Sequence, residues 1–388
     1  MDDKLSPALR YHKQYRGKLS VIPHAPLATN QDLLLAYTPG VAEPCMEIAK
    51  SSDLAFDYTL KGRVVAIVSD GSAVLGLGNI GPLAAIPVME GKAALLHKFS
   101  GIEAFPITLD TEDEDEIIAT VKNIAPVFGA IMLEDIAAPK CVRIERILQR
   151  ELPVPVFHDD QHGTAIVVGA AVINAFRLLN KDLSKVRAVV SGTGAAGNSV
   201  MRLLKKIGLG SIVAYNKNGV VKYSKYDDYD FVIKELIDEK IIDDPDPSMT
   251  SLSQLIKNRD LFIGVSAPNL LTKEMVVSMN PGPVIFALAN PTPEIDPKIA
   301  LEAGASVIGT GRSDYPNQIN NVLVFPGLMK GLLESRATSV TTDMKLAACK
   351  ALAHLIEDKD LNPERILPGI FEEGVVDTVK NAVMAEVK

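Results

Sequence analysis

Short apolar runs alternate with longer stretches whose apolar positions recur at helical spacing, the pattern of an α/β chain with a largely parallel sheet. In the first half the runs at residues 63–69, 103–109, 129–133 and 154–157 predict strands. Between them, residues 88–99, 114–124 and 141–150 predict helices, the middle one with Ile117, Ile118, Val121 and Ile124 on one face. Residues 161–180 predict a long buried helix, and the polar stretch 181–185 after it marks a hinge region. The second half starts again with strands at 186–190, 212–215, 261–265, 284–288 and 306–308, a surface loop at 243–247, and a helical tail from about 327. The boundary is set at 160, giving domains 1–160 and 161–388, a division that the length of 388 residues supports.

The pattern G-x-G-x-x-G occurs twice, so the motif alone decides nothing. Gly76-Leu-Gly78-Asn-Ile-Gly81 is separated from the strand at 63–69 by residues 70–75, and Pro82 follows it at once. Gly192-Thr-Gly194-Ala195-Ala196-Gly197 instead follows its strand directly and opens into an amphipathic helix. There one glycine makes the tight turn, one admits a pyrophosphate against the backbone, and one lets helix and strand pack closely. A strand ending in Asn216 comes next at the right distance. The second domain therefore reads as a Rossmann-type dinucleotide binder.

Two strands of the first domain end in acidic pairs: Glu134-Asp135 after 129–133, and Asp159-Asp160 after 154–157 and His158. Sequential strands of a parallel sheet deliver their carboxyl ends to one edge, where two acidic pairs repel unless a cation neutralises them. Oxygen donors without cysteine favour a hard ion, Mg²⁺ or Mn²⁺. Helix capping accounts for one residue of each pair but not for both. The neighbouring His158 and His162 admit a zinc reading, although a buried or capping histidine is commoner. The acidic run at 112–116 is a solvated first helical turn, its carboxylates pointing different ways around the helix start.

Composition narrows the partners. Forty basic against 48 acidic residues leave a formal charge of −8, which speaks against a polyanionic partner such as nucleic acid. Trp is absent, so no aromatic stacking platform stands out. Cys45, Cys141 and Cys349 are odd in number and widely spaced, as in a reducing compartment. The start Met1-Asp2-Asp3-Lys4 lacks the apolar core of a signal peptide, and the most apolar stretch, 164–176, is too short to span a bilayer. A cytoplasmic protein without membrane contact is expected.

With these residues in view, a family resemblance emerges. Tyr37-Thr-Pro-Gly-Val-Ala-Glu-Pro-Cys45, residues 69–81, Val88-Met-Glu-Gly-Lys92, Leu133-Glu-Asp135 and Phe157-His-Asp-Asp-Gln-His-Gly-Thr164 resemble the malic enzyme family in order and spacing. The glycine turn, Ala289-Asn-Pro-Thr292 and Asn320-Asn-Val-Leu-Val-Phe-Pro-Gly327 continue the match from about residue 10 to 385, in the form of the small prokaryotic type. The resemblance implies an α/β malic domain followed by a Rossmann domain. The implied reaction is oxidative decarboxylation of malate to pyruvate and CO₂ with NADP or NAD and a divalent metal, in a homodimer. Oxaloacetate decarboxylation without net redox and a silent dinucleotide-binding regulatory subunit are the alternatives; five intact catalytic and metal positions speak against the second.

The family's roles transfer position by position. Glu134, Asp135 and Asp160 correspond to the metal ligands, and Lys92 to the lysine that accepts the C2 hydroxyl proton. Tyr37 corresponds to the tyrosine that protonates C3, and Asp159 to the partner of Lys92. Asn290 and Asn320 correspond to asparagines that hold substrate and, for Asn290, the nicotinamide ribose. A lysine near a cation in a closing cleft is expected to have its pKa lowered, as a base needs. Two positions depart from the larger relatives. Ala73 stands where they carry a carboxylate-gripping arginine, which leaves amides of the 76–81 loop as candidate donors. Asn216, followed by Lys217, stands where many dinucleotide folds carry Asp, which turns the expectation towards NADP at least as much as NAD.

Overall fold

Two sheets organise the chain, whose residues 5–387 the computed structural model describes. The first has strands β1 (Val64–Ser69), β2 (Glu103–Thr108), β3 (Ala130–Leu133) and β4 (Val156–His158) in the order β2-β1-β3-β4, all parallel. β1, β3 and β4 are buried along their whole length, as strands covered on both faces must be. Leu133 of β3 lies beside His158 of β4, so the two strands end level and release Glu134 and Asp159 at one edge.

The second sheet has β5 (Arg187–Ser191), β6 (Ser211–Asn216), β7 (Gly219–Val220), β8 (Leu261–Gly264), β9 (Val284–Ala287) and β10 (Val307–Thr310). Their order is β10-β9-β8-β5-β6-β7, parallel except for β7. The direction of winding reverses between β5 and β8, the place where such sheets hold a ligand. The short β7 is absent from the sequence reading. It hairpins back on β6 across Lys217 and Asn218, and Gly219 takes the left-handed conformation there (φ 101°).

Two helices differ from expectation. The one read as 88–99 runs from Gly81 to Ser100. Pro82 sits in its first turn, where a missing N–H leaves no bond unmade, so the first glycine motif, Gly76–Gly81, also opens a helix. The stretch read as one helix over 161–180 is a π-helical turn, Asp159–Gly163, leading into a largely buried helix, Thr164–Leu178. The run of acids at 112–116 does lie at a helix start, where Asp113 accepts the N–H groups of Asp115 and Glu116.

The largest hydrophobic cluster joins the two sheets: Val65 and Phe157 from the first, Ile166 to Phe176 between, Val190 and Phe286 from the second, and Leu328 and Val383 near the end of the chain. Helices Phe325–Glu334 and Val375–Ala385 pack closely because Gly327 and Gly331 bring Val379 and Val383 against the backbone. The first of them also covers helix Gly81–Ser100, and its Leu333 presses on Gly129 just before β3.

The N-terminal region behaves differently. Helices α1 (Pro7–Tyr15) and α2 (Asn30–Ala36) are capped by Ser6 and by a Thr29–Asp32 capping box, and α3 (Ala42–Lys50) has no side-chain cap; none of the three buries a residue. Val21, Ile22, Leu27, Leu34 and Leu35 are exposed along this arm. The amide of Lys18 donates to Glu90 and its ammonium to the Pro87 carbonyl, tying the arm to helix Gly81–Ser100. Among the described residues no helix is long and apolar enough to cross a membrane.

A β-branched side chain at position 327 would meet the Val376 carbonyl at 2.6 Å and Val379 Cβ at 2.8 Å with its first carbon alone. Gly327→Val should therefore lower stability by about 1–3 kcal/mol, read as an earlier midpoint in urea. An unchanged midpoint would mean that this helix pair does not need its close approach.

Candidate active site

The level ends of β3 and β4 determine the site. The Glu134 N–H donates to the Val68 carbonyl, which continues the strand one residue further. Asp135 then turns in the left-handed region (φ 54°), and its N–H donates to Asp160 Oδ2 at 2.8 Å. Glu134, Asp135 and Asp159 are almost wholly buried, while Asp160 is partly exposed. One oxygen from each of Glu134, Asp135 and Asp160 lies within 4.8 Å of the others.

Lys92 reaches this cluster from helix Gly81–Ser100. Its ammonium lies 3.0 Å from Glu134 Oε1, ion-pairs with Asp159, and sits 4.6 Å over the ring of Phe325. Burial pushes the Glu134 carboxyl well up, and Asp160 adds to this. Asp159 is also raised by burial, against the pull of Lys92. Burial pulls the Lys92 ammonium down, but Asp159, Glu134 and Asp160 outweigh it and hold Lys92 above the ordinary lysine range. That is the reverse of the lowering expected for a base beside a cation, and its cause is the surplus of carboxylates.

The donor set suits a hard divalent ion: three carboxylates, with Glu134 Oε2 buried and without a hydrogen-bond partner among the described residues. His158 and His162 are outside the ligand group. His162 Nε2 is 3.0 Å from Glu145, whose other oxygen accepts the His158 N–H.

The dinucleotide turn stands beside this cluster. Gly192 has φ 113°, and a side chain on it would strike the Val265 carbonyl. A carbon on Gly197 would lie 1.9 Å from the Gly192 carbonyl oxygen, so both positions demand glycine. Gly194 caps helix Ala195–Lys206, with Ala195, Ala196 and Gly197 in its first turn, and its open side faces Ala138, three residues beyond Asp135. Asn216 closes β6 and donates to Thr193 on the same turn, while Lys217 is exposed in the hairpin loop.

Asn290 lies on a turn with a cis peptide to Pro291, and its carbonyl oxygen would be 1.7 Å from a carbon added to Gly76. The first glycine loop thus abuts the second sheet. The Leu77, Ile80 and Gly81 amides of that loop are engaged by the carbonyls of Val74 and Gly71, which removes three of the candidate carboxylate donors. Asn320 caps the turn Asn321–Leu323, which packs on Gly163 behind the acidic cluster.

Tyr37 is not brought to the cluster within this chain. It ends α2, is 66% exposed, and its hydroxyl has no hydrogen-bond partner among the described residues. One contributor escaped the sequence reading. Glu294 is fully buried and accepts the N–H groups of Ser266 and Ala289, each at 3.0 Å, binding the loops after β8 and β9 together next to Asn290. Its only visible signal is that it is the first acid after Asn290-Pro-Thr-Pro.

The chain matches two family models in succession: "Malic enzyme, N-terminal domain" over residues 16–149 and "Malic enzyme, NAD binding domain" over residues 161–387. It is 49% identical to the bifunctional malic/malolactic enzyme of Bacillus subtilis, over 97% of this chain and 91% of that protein. It is 45% identical to the NADP-dependent malic enzyme of Escherichia coli over 99% of this chain, which covers 52% of that longer protein. The crystal structure of the NAD-dependent malic enzyme from Thermotoga maritima superimposes with a TM-score of 0.93 at 44% identity, covering 98% of this chain and 99% of the other. By its two domains, their order and its fold, the chain belongs to the malic enzyme family.

Proposed function

We propose that this protein oxidatively decarboxylates malate to pyruvate and CO₂, using NADP or NAD with Mg²⁺ or Mn²⁺, as a cytoplasmic homodimer. The observation that carries this reading is the position of Lys92 inside an acidic cluster that adjoins a dinucleotide turn. Residues 1–160 act as the catalytic and metal-binding domain, and 161–388 as the dinucleotide domain. Three free cysteines accord with a reducing compartment. The exposed apolar arm supports assembly, because large apolar patches on soluble proteins usually mark interfaces.

Held by Glu134, Asp135 and Asp160, a divalent ion supplies Lewis-acid polarisation of the substrate oxygens and offsets the carboxylate charge that keeps Lys92 protonated. The dinucleotide supplies the hydride acceptor. As the neutral amine, Lys92 then takes the C2 hydroxyl proton as the hydride leaves, and Asp159 orients it and pairs with the ammonium that forms. Loss of CO₂ leaves an enolate, which Tyr37 protonates at C3. Because Tyr37 stands on the unburied arm, its role belongs to the assembled homodimer. Asn290 and Asn320 hold substrate, and Asn290 the nicotinamide ribose.

The direct test is malate-dependent reduction of each dinucleotide with Mn²⁺. Chelator-treated protein should be inactive and recover with Mn²⁺ or Mg²⁺, and Asp160→Asn should lower kcat by about 100-fold or more with the fold intact. Full activity in excess EDTA would remove the metal from the scheme.

Acid and base separate in partial reactions. Tyr37→Phe should impair turnover of malate to pyruvate by about 100-fold, and reduction of added oxaloacetate much less. Lys92→Ala should damage both, with partial rescue by added amines. Equal losses in every partial reaction for both variants would contradict the assignment.

Cofactor choice is tested at the β6 hairpin. Lys217 is exposed and can pair with a 2′-phosphate, while Asn216, held by Thr193 and the Asn218 N–H, keeps one amide N–H and one oxygen lone pair for a ribose hydroxyl, so NADP should serve at least as well as NAD. Asn216→Asp should shift kcat/KM towards NAD, and Lys217→Ala should raise KM for NADP alone, by roughly tenfold. A strong native preference for NAD with no effect of Lys217→Ala would show that another element selects the cofactor.

A further inference from the structure

A second chemistry-bearing cavity lies away from the acidic cluster. Its volume is about 250 Å³, and it opens between helix Ala195–Lys206, the start of helix Thr164–Leu178 and helix Thr342–His354. Arg202 and Lys206 line it from one face of helix Ala195–Lys206, Lys345 enters from the far helix, and His162 closes the inner end. The lining on the first helix begins at Ser199, past the glycine turn, so the cavity is separate from the dinucleotide turn.

Charge makes the cavity unusual in an acidic chain. Three cationic side chains face a single lining carboxylate, Glu239; Arg202 is paired with it and with Glu235 just outside, which leaves Lys206 and Lys345 as the unmatched charges. Lys206 and Lys345 have no carboxylate within 4.0 Å among the described residues; the nearest polar partner of Lys345 is His162 Nδ1, at 3.4 Å. Glu145 lies behind His162 and is engaged there by the His158 N–H, Gln161 and His162 itself. Burial pulls Lys345 below the ordinary lysine range, against the influence of Glu145, so its charged form gains from an anion placed beside it. The floor is apolar, with Ile166 and Leu203.

We propose that this cavity binds a small dianion, phosphate or a short dicarboxylate, between Lys345 and Lys206. At roughly 30 Å³ per water molecule, its volume accommodates a group of that size but not a dinucleotide. Through His162 and Glu145 the occupant would stand two side chains behind the end of β4.

Calorimetric titration of the full chain tests this, with dinucleotide saturating the glycine turn, EDTA removing divalent ions, and ionic strength held constant. Inorganic phosphate is titrated in one arm and succinate in the other. At least one should bind with one-site stoichiometry, and the arm that responds names the occupant. Lys345→Gln and the exposed Lys206→Gln should each weaken that binding by roughly tenfold, with dinucleotide affinity unchanged as the check on folding. If Lys345→Gln does not fold, Lys206→Gln decides alone. No heat from either anion, or equal binding by wild type and the folded variants, overturns the proposal.

Discussion

Confinement of like charge at one sheet edge is the constraint on which the rest of this molecule depends. Parallel pairing ends β3 and β4 side by side, and each strand releases acidic residues there. Two carboxylates about 4 Å apart repel by roughly 4 kcal/mol at an effective dielectric constant near 20, and burial sharpens the conflict. Lys92 relieves it in part by contacting Glu134 and Asp159 together. The remaining surplus shows in the raised Glu134 and Asp159 carboxyls, and it is what suits the cluster to the divalent ion proposed above.

The dinucleotide turn and the acidic cluster come together because elements of both sheets share the space between them. Gly194 faces Ala138, Gly76 abuts Asn290, and Gly163 meets Asn321. Each contact has glycine on one side, and at Gly76 and Gly163 a Cβ would crowd the partner. Glu294 keeps the opposite wall in place by holding two strand-end loops with one carboxylate. The acid assigned to Tyr37 stands apart, on an arm whose apolar side chains find no cover among the described residues.

Much of this was legible in the sequence where the signal is local. Acidic pairs directly after apolar runs marked Glu134, Asp135, Asp159 and Asp160, and a strand–turn–helix setting distinguished Gly192–Gly197 from Gly76–Gly81. What escaped depends on tertiary contact. Glu145 and Glu294 resemble solvent-facing acids until their buried partners are known. Helix Gly81–Ser100 was read short because Ala, Gly and Pro blur its amphipathic pattern. The leucines of α2 look like core residues, and only the fold shows that none of the described residues covers them.

The return of helix Phe325–Glu334 to the first sheet has a consequence for how the protein is made. Strands β1 to β4 are complete by His158, but Phe325 and Leu333, which wall Lys92 and Gly129, are synthesised far later. At about 5–20 residues per second on the ribosome, the delay is on the order of ten seconds or more. Until then helix Gly81–Ser100 covers that face of the first sheet, and the β3 side of it waits for the later helix. The half that carries the acidic cluster is thus translated before part of its own wall exists.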